Sequence, residues 1–167
     1  YEIRDEDRTA FERDGYVHVR GVLSEEECRE IEAVYDRFMR QEIAVTGKDL
    51  CDMSGDYGRA FANFSIINVM LPRRYYPEWQ GNIYERRCAS IARQLRGPDM
   101  EIDYDQLLAK RPHKPDAVFH WHQDMAYWVV TPDMRTATCW LALDDSTIEN
   151  GCMRVVPGSN HAPLRPP

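Results

Sequence analysis

The chain has 167 residues, 43% of them hydrophobic and 29% charged, a composition that sustains one domain with a buried core and excludes collagen-like, coiled-coil and low-complexity classes. With 21 Lys and Arg against 28 Asp and Glu, the net charge is -7, so the chain lacks the basic footprint of a nucleic-acid or anionic-lipid binder. Apolar stretches such as Phe64 to Leu71 are short and broken, far from the roughly eighteen residues that a spanning helix requires. Neither nucleic acid nor a membrane is expected as a partner.

In chain order, Asp5 to Asp14 reads as a short helix stopped by Gly15. Tyr16 to Val22 alternates and is rich in β-branched residues, which predicts a strand. Ser24 followed by Glu27 forms a capping box, and Cys28, Ile31, Val34, Tyr35 and Phe38 then recur at helical spacing, so a helix is expected from about Ser24 to Gln41. The acidic, glycine-rich stretch from Gly47 to Gly58 lacks periodicity and reads as a loop. Pro72 and Pro77 bracket the patch Arg73-Arg74-Tyr75-Tyr76, after which Ile83, Tyr84, Cys88, Ile91, Ala92 and Leu95 mark an amphipathic helix ended by Gly97-Pro98.

Beyond this point the pattern changes. Met100 to Ala109, Ala117 to Asp124, Thr136 to Leu143 and Cys152 to Val156 are strand-like runs separated by turn clusters. Helices first and strands second predict an α+β or mainly β fold, an antiparallel sandwich or barrel with helices on one side. A single domain over 1–167 is expected, helical over about 1–98 and strand-rich over about 99–167. The five cysteines, Cys28, Cys51, Cys88, Cys139 and Cys152, are scattered and odd in number, the pattern of reduced thiols. No signal peptide opens the chain, and a cytoplasmic location is expected. Tyr1 in place of an initiator Met and the unpunctuated end at Pro167 suggest a fragment.

The densest chemical signal is Phe119-His120-Trp121-His122-Gln123-Asp124. On a strand, His120, His122 and Asp124 project to one side and Trp121 and Gln123 to the other. An H-x-D pair is the local half of a two-His, one-carboxylate facial triad for Fe(II); taken alone, it is also compatible with ordinary half-buried strand residues. All three in one strand would span two repeats of roughly 6.5 Å each, too far for His120 to join the other two on one ion.

In this setting the chain resembles the phytanoyl-CoA dioxygenase family of Fe(II)/2-oxoglutarate-dependent oxygenases, which includes ectoine hydroxylase. Three segments carry the resemblance in order: Phe11 to Ser24, Trp121-His122-Gln123-Asp124, and Asn150-Gly151-Cys152-Met153-Arg154-Val155-Val156-Pro157-Gly158-Ser159. The resemblance implies a double-stranded β-helix, the cupin-like jelly roll, with flanking N-terminal helices. It implies His122 and Asp124 as iron ligands, Phe119 and Trp140 as lining of the 2-oxoglutarate site, and Gln123 as the residue between the ligands; plain core packing stays open for the two aromatics. The implied cofactor is Fe(II), with 2-oxoglutarate and O2 as cosubstrates and succinate, CO2 and a hydroxylated product. Asp124 keeps the carboxylate that related halogenases replace with a small residue, which favours hydroxylation.

The family's distal iron-binding His, and the Arg that pairs with 2-oxoglutarate, lie downstream of the P-G-S segment, so both are expected beyond Pro167. His161 stands one residue later than the family's turn His, which is not a ligand. Tyr127 and Trp128, just past the metal segment, are candidate substrate contacts; Arg73, Arg74, Tyr75 and Tyr76 read as a solvated loop, with contact to a charged substrate as the alternative, and Lys110, Arg111, Lys114 and the loop from Lys48 to Arg59 are a possible pocket rim. The leading function is hydroxylation of a small polar molecule. The alternatives are a related oxygenase acting on an acyl-CoA or carrier-bound substrate, and a cupin-like binding protein that keeps only part of the triad.

Overall fold

Helical signals are realised where the sequence places them. The computed structural model describes residues 1–55 and 58–166, so two positions of the expected 47–58 loop lie outside the described residues. Helix α1 spans Asp5–Asp14, with Asp5, Glu6 and Asp7 at its electropositive first turn. It ends at Gly15, which adopts φ 81° and donates its N–H to the Phe11 carbonyl at 2.9 Å. Helix α2 spans Glu25–Met39 behind the expected capping box. The Glu27 N–H donates to Ser24 Oγ at 3.3 Å and the Ser24 N–H donates to the Glu27 carboxylate at 2.8 Å.

Strand β1 is Leu50–Asp52, β2 is Ile66–Met70, helix α3 is Pro72–Tyr75, α4 is Ile83–Arg96 and β3 is Gln106–Lys110. The strands form one antiparallel sheet in the order β1-β2-β3, with Asn68 opposite both Cys51 and Leu108. The central strand β2 is buried almost throughout, Ile66 and Val69 completely. The fold is therefore helices with a small antiparallel sheet.

Several expected strands differ from the structure. Residues 16–22, 117–124, 136–143 and 152–156 carry no strand pairing, and only the end of the 100–109 run pairs, shifted to Gln106–Lys110. Conversely β1 falls in the 47–58 stretch, whose pattern predicts a loop, and β2 in the apolar run from Phe64 to Leu71. The physical reason is common to both errors. Alternation shows that a segment has two unlike faces, whereas a strand exists only where a neighbouring backbone takes up its N–H and C=O groups.

The chain divides into two compact units. In the unit formed by Leu23–Glu85 and Ile102–Phe119, Phe38 packs on Trp79 with ring centroids 6.0 Å apart, and Ile31, Ile43, Phe64, Ile66, Ile67 and Val69 are buried. Tyr35 Oη donates to the Leu108 carbonyl at 2.9 Å and so ties α2 to β3. Asp52 is a buried carboxylate at the end of β1: it accepts the backbone N–H groups of Ser54, Ser65 and Ile66, each at 3.0 Å, and faces Arg59 at 3.2 Å. Burial alone would raise its pKa, but the donors from Ser54, Ile66 and Ser65 win and hold it well below the usual carboxylate range.

The other unit comprises Tyr1–Val22, Arg86–Glu101 and His120–Pro167. Ile3 and Ile91 are buried in it, and Gln94 accepts the Ile3 N–H at 2.8 Å and donates to the Tyr1 carbonyl at 2.9 Å. Arg135 pairs with Asp99 at 2.6 Å. The turn at 158–161 closes the end of α1: the Gly158 N–H donates to the Asp14 carbonyl at 2.9 Å and Asn160 Nδ2 to the Glu12 carbonyl at 3.1 Å. Among the described residues, no helix is long and apolar enough to cross a membrane.

Candidate metal centre

In the segment that carries His122 and Asp124, Gln123 is extended and the chain then tightens into a 3-10 turn over Asp124–Ala126. Instead of continuing a strand, Asp124 brings its carboxylate to the imidazole, with Nε2 of His122 3.2 Å from Oδ1 of Asp124. Both side chains are partly exposed, 36% and 48%, so the space around them is open to a ligand. On its far side, His122 Nδ1 lies 2.7 Å from the His120 carbonyl oxygen.

That second contact decides what the first one means. A carbonyl oxygen only accepts, so Nδ1 must carry the hydrogen, and in a neutral imidazole Nε2 is then a bare lone pair. A lone pair and a carboxylate oxygen 3.2 Å apart repel unless a proton or a cation lies between them. A ligating His whose other nitrogen is fixed by a backbone carbonyl is the usual arrangement at metal sites. The donor set, one imidazole nitrogen and one carboxylate, suits a borderline divalent ion such as Fe(II).

His120 contributes its carbonyl to this arrangement, and among the described residues no group of three or more His, Cys, Asp or Glu side chains is placed to hold a metal. His161 is spoken for elsewhere, its Nε2 lying 3.1 Å from the Arg13 carbonyl at the end of α1. Tyr127 is brought to the pair, its ring meeting the His122 ring edge-on at 5.7 Å. Trp128, Tyr127 and Trp140 are all exposed, at 43%, 63% and 50%, so plain core packing does not describe them here. Gln123 turns away and accepts the Arg165 N–H at 2.8 Å. Phe119 belongs to the other unit, where Lys110 Nζ lies 5.8 Å from its ring centroid.

Thr138 is the residue that sequence reasoning missed: its Oγ1 donates to Asp124 Oδ2 at 3.3 Å and so orients the carboxylate. The available signal was its position two residues before Trp140, on the same side of an extended segment. Asp124 is fourteen residues from it in sequence, a separation that local patterns do not read.

The family profile described as Phytanoyl-CoA dioxygenase (PhyH) matches residues 11–166. This chain belongs to the PhyH family. The match runs from the last turn of α1 through the His122–Asp124 segment and the turn at 158–161. Among similar proteins, the ectoine dioxygenase of Stutzerimonas stutzeri (strain A1501) is 31% identical over 155 residues, covering 90% of this PhyH chain and 48% of the relative. The ectoine dioxygenase of Bordetella parapertussis is 26% identical, with 90% and 47% covered, and the peroxisomal phytanoyl-CoA dioxygenase of Rattus norvegicus is 21% identical, with 96% and 48% covered. The chain thus spans about half the length of the curated relatives it matches. No solved structure matches it.

Proposed function

We propose that this PhyH chain belongs to an Fe(II)/2-oxoglutarate-dependent dioxygenase that hydroxylates an unactivated C–H bond of a small polar molecule, with release of succinate and CO2. The observation that carries the reading is the His122–Asp124 pair, with Nδ1 engaged by the His120 carbonyl and Nε2 directed at a carboxylate oxygen 3.2 Å away. Family membership supports the same chemistry. The small polar substrate is favoured by the ectoine dioxygenases among the relatives and by the net charge of -7, which disfavours a polyphosphorylated coenzyme A ester.

In this reading His122 and Asp124 supply two ligands of a facial triad, and a His in sequence after Pro167 supplies the third. Fe(II), when bound with 2-oxoglutarate, activates O2 for C–H hydroxylation. The chain's own part is positional. The His120 carbonyl orients the His122 ring, and Thr138 holds one Asp124 oxygen while the other stays beside His122 Nε2, where the two would hold the metal. Tyr127, packed against the His122 ring, and Trp128 form an aromatic wall for substrate, while Trp140 lines the 2-oxoglutarate site and Gln123 braces the ligand segment. Residues 1–167 are then part of one oxygenase domain, whose jelly roll pairs the extended segments 117–124, 136–143 and 152–156 with further strands.

The test is metal binding and succinate release by the full-length protein. His122→Ala and Asp124→Ala should each lower Fe(II) affinity by at least tenfold and abolish 2-oxoglutarate-dependent succinate release, with the far-UV circular dichroism unchanged. Unimpaired turnover in either variant would remove the pair from the chemistry. A panel of amines, amino acids, phosphonates and acyl thioesters then identifies the substrate class; stimulation by thioesters alone would reverse the preference for a small polar molecule.

A further inference from the structure

A second reactive cluster lies in the same unit as the metal pair. Cys88 is on α4 and Cys139 is in the segment 136–143, 51 residues later, yet Cys139 Sγ lies 4.0 Å from the Cys88 carbonyl oxygen. The neighbouring Cys88 side chain holds the Cys139 thiol below the usual thiol pKa range. Cys139 is exposed and Cys88 partly so. A solvent-accessible thiol of lowered pKa beside a second thiol is the arrangement of peroxide-responsive cysteines. Cys51 is its opposite: fully buried, with its pKa pushed up by that burial.

We propose that Cys88 and Cys139 are a redox-sensitive dithiol that closes reversibly to a disulfide on exposure to peroxide. The Cys139 thiolate attacks one peroxide oxygen, the O–O bond breaks, Cys139 becomes a sulfenic acid, and the departing hydroxide takes up the proton that the thiol released on ionising and leaves as water. The Cys88 sulfur then attacks the Cys139 sulfur; the S–S bond forms, the S–O bond breaks, and the departing hydroxide takes the Cys88 proton as a second water. The two sulfurs lose two electrons and hydrogen peroxide gains them. The disulfide ties α4 to the segment that carries Thr138, the Asp124 partner, and Trp140. Its meaning for that site rests on the proposed function, but its formation does not.

The experiment treats the reduced chain with one equivalent of hydrogen peroxide and reads mass and peptide maps, with no iron or 2-oxoglutarate present. The expected result is loss of two hydrogen atoms, a single cross-linked peptide joining residues 88 and 139, and recovery with dithiothreitol. Cys139 should be oxidised about tenfold faster than Cys28 or Cys152, as its lowered pKa and exposure require. Cys88→Ser should leave a dimedone-reactive sulfenic acid on Cys139, and Cys139→Ser should abolish the cross-link. Cross-links spread over other cysteines, or oxidation of Cys139 no faster than that of Cys28, would overturn the assignment. These wild-type measurements decide it even if a serine variant fails to fold.

Discussion

His122 shows how much chemistry one backbone contact can set. The His120 carbonyl selects the tautomer, the 3-10 turn at Asp124 brings the carboxylate to the free nitrogen, and Thr138 orients the carboxylate. Trp140 tests the surrounding pocket. Because it is 50% exposed, Trp140→Ala should cost well under the ~3–5 kcal/mol of a buried Trp truncation, while raising the 2-oxoglutarate concentration needed for half-maximal succinate release. Thermal melts beside that titration separate the two effects. Asp52 is the residue with the clearest pH signature. Its folded pKa is depressed below the unfolded value, so it stabilises the fold fully above about pH 4 and that contribution fades as pH falls through the folded value. Urea-unfolding stability should therefore decline progressively below about pH 4, and Asp52→Asn should flatten the decline while lowering stability at neutral pH.

At the scale of elements, the helices rest on local devices that can be removed singly. The reciprocal Ser24–Glu27 bonds satisfy two orphan donors at the start of α2, so Ser24→Ala should lower unfolding free energy by about 1 kcal/mol in chemical denaturation. Gly15 is constrained twice: its φ is 81°, and an added Cβ would lie 2.7 Å from Asn160 Cβ. Gly15→Ala should cost at least the ~1–2 kcal/mol of a left-handed residue and loosen the turn at 158–161. Hydrogen exchange at the Gly158 N–H, which bonds to Asp14, reads that loosening directly.

For the molecule as a whole, the distribution of apolar exposure is uneven. Of the large apolar side chains that are more than half exposed, Trp121, Tyr127, Val129, Val130, Ile148, Met153, Val156 and Leu164 lie in residues 120–166, and Val118 just before them. Such a concentration of exposed apolar side chains exceeds what isolated surface residues explain. The 167-residue chain should bind anilinonaphthalene sulfonate with enhanced fluorescence and associate at raised concentration. Val129→Lys with Val130→Lys should weaken both without lowering the melting temperature, since these two side chains are 84% and 78% exposed.

The sequence by itself determined the features whose causes are local. Helix α1 with its Gly15 stop, the Ser24–Glu27 box and helix α4 up to Gly97 follow from spacing and capping chemistry within a few residues. The H-x-D pair and the family motifs were equally legible, because the residues that carry them are contiguous. Tertiary structure alone decided which segments became strands: the apolar run β2 is a strand because β1 and β3 flank it, whereas 117–124 has a strand-like pattern and remains unpaired. It also decided that Thr138 reaches Asp124 across fourteen residues and that Cys139 meets Cys88 across 51. Ladder hydrogen bonds and side-chain contacts depend on what lies opposite in space, and a pattern along one segment describes only that segment.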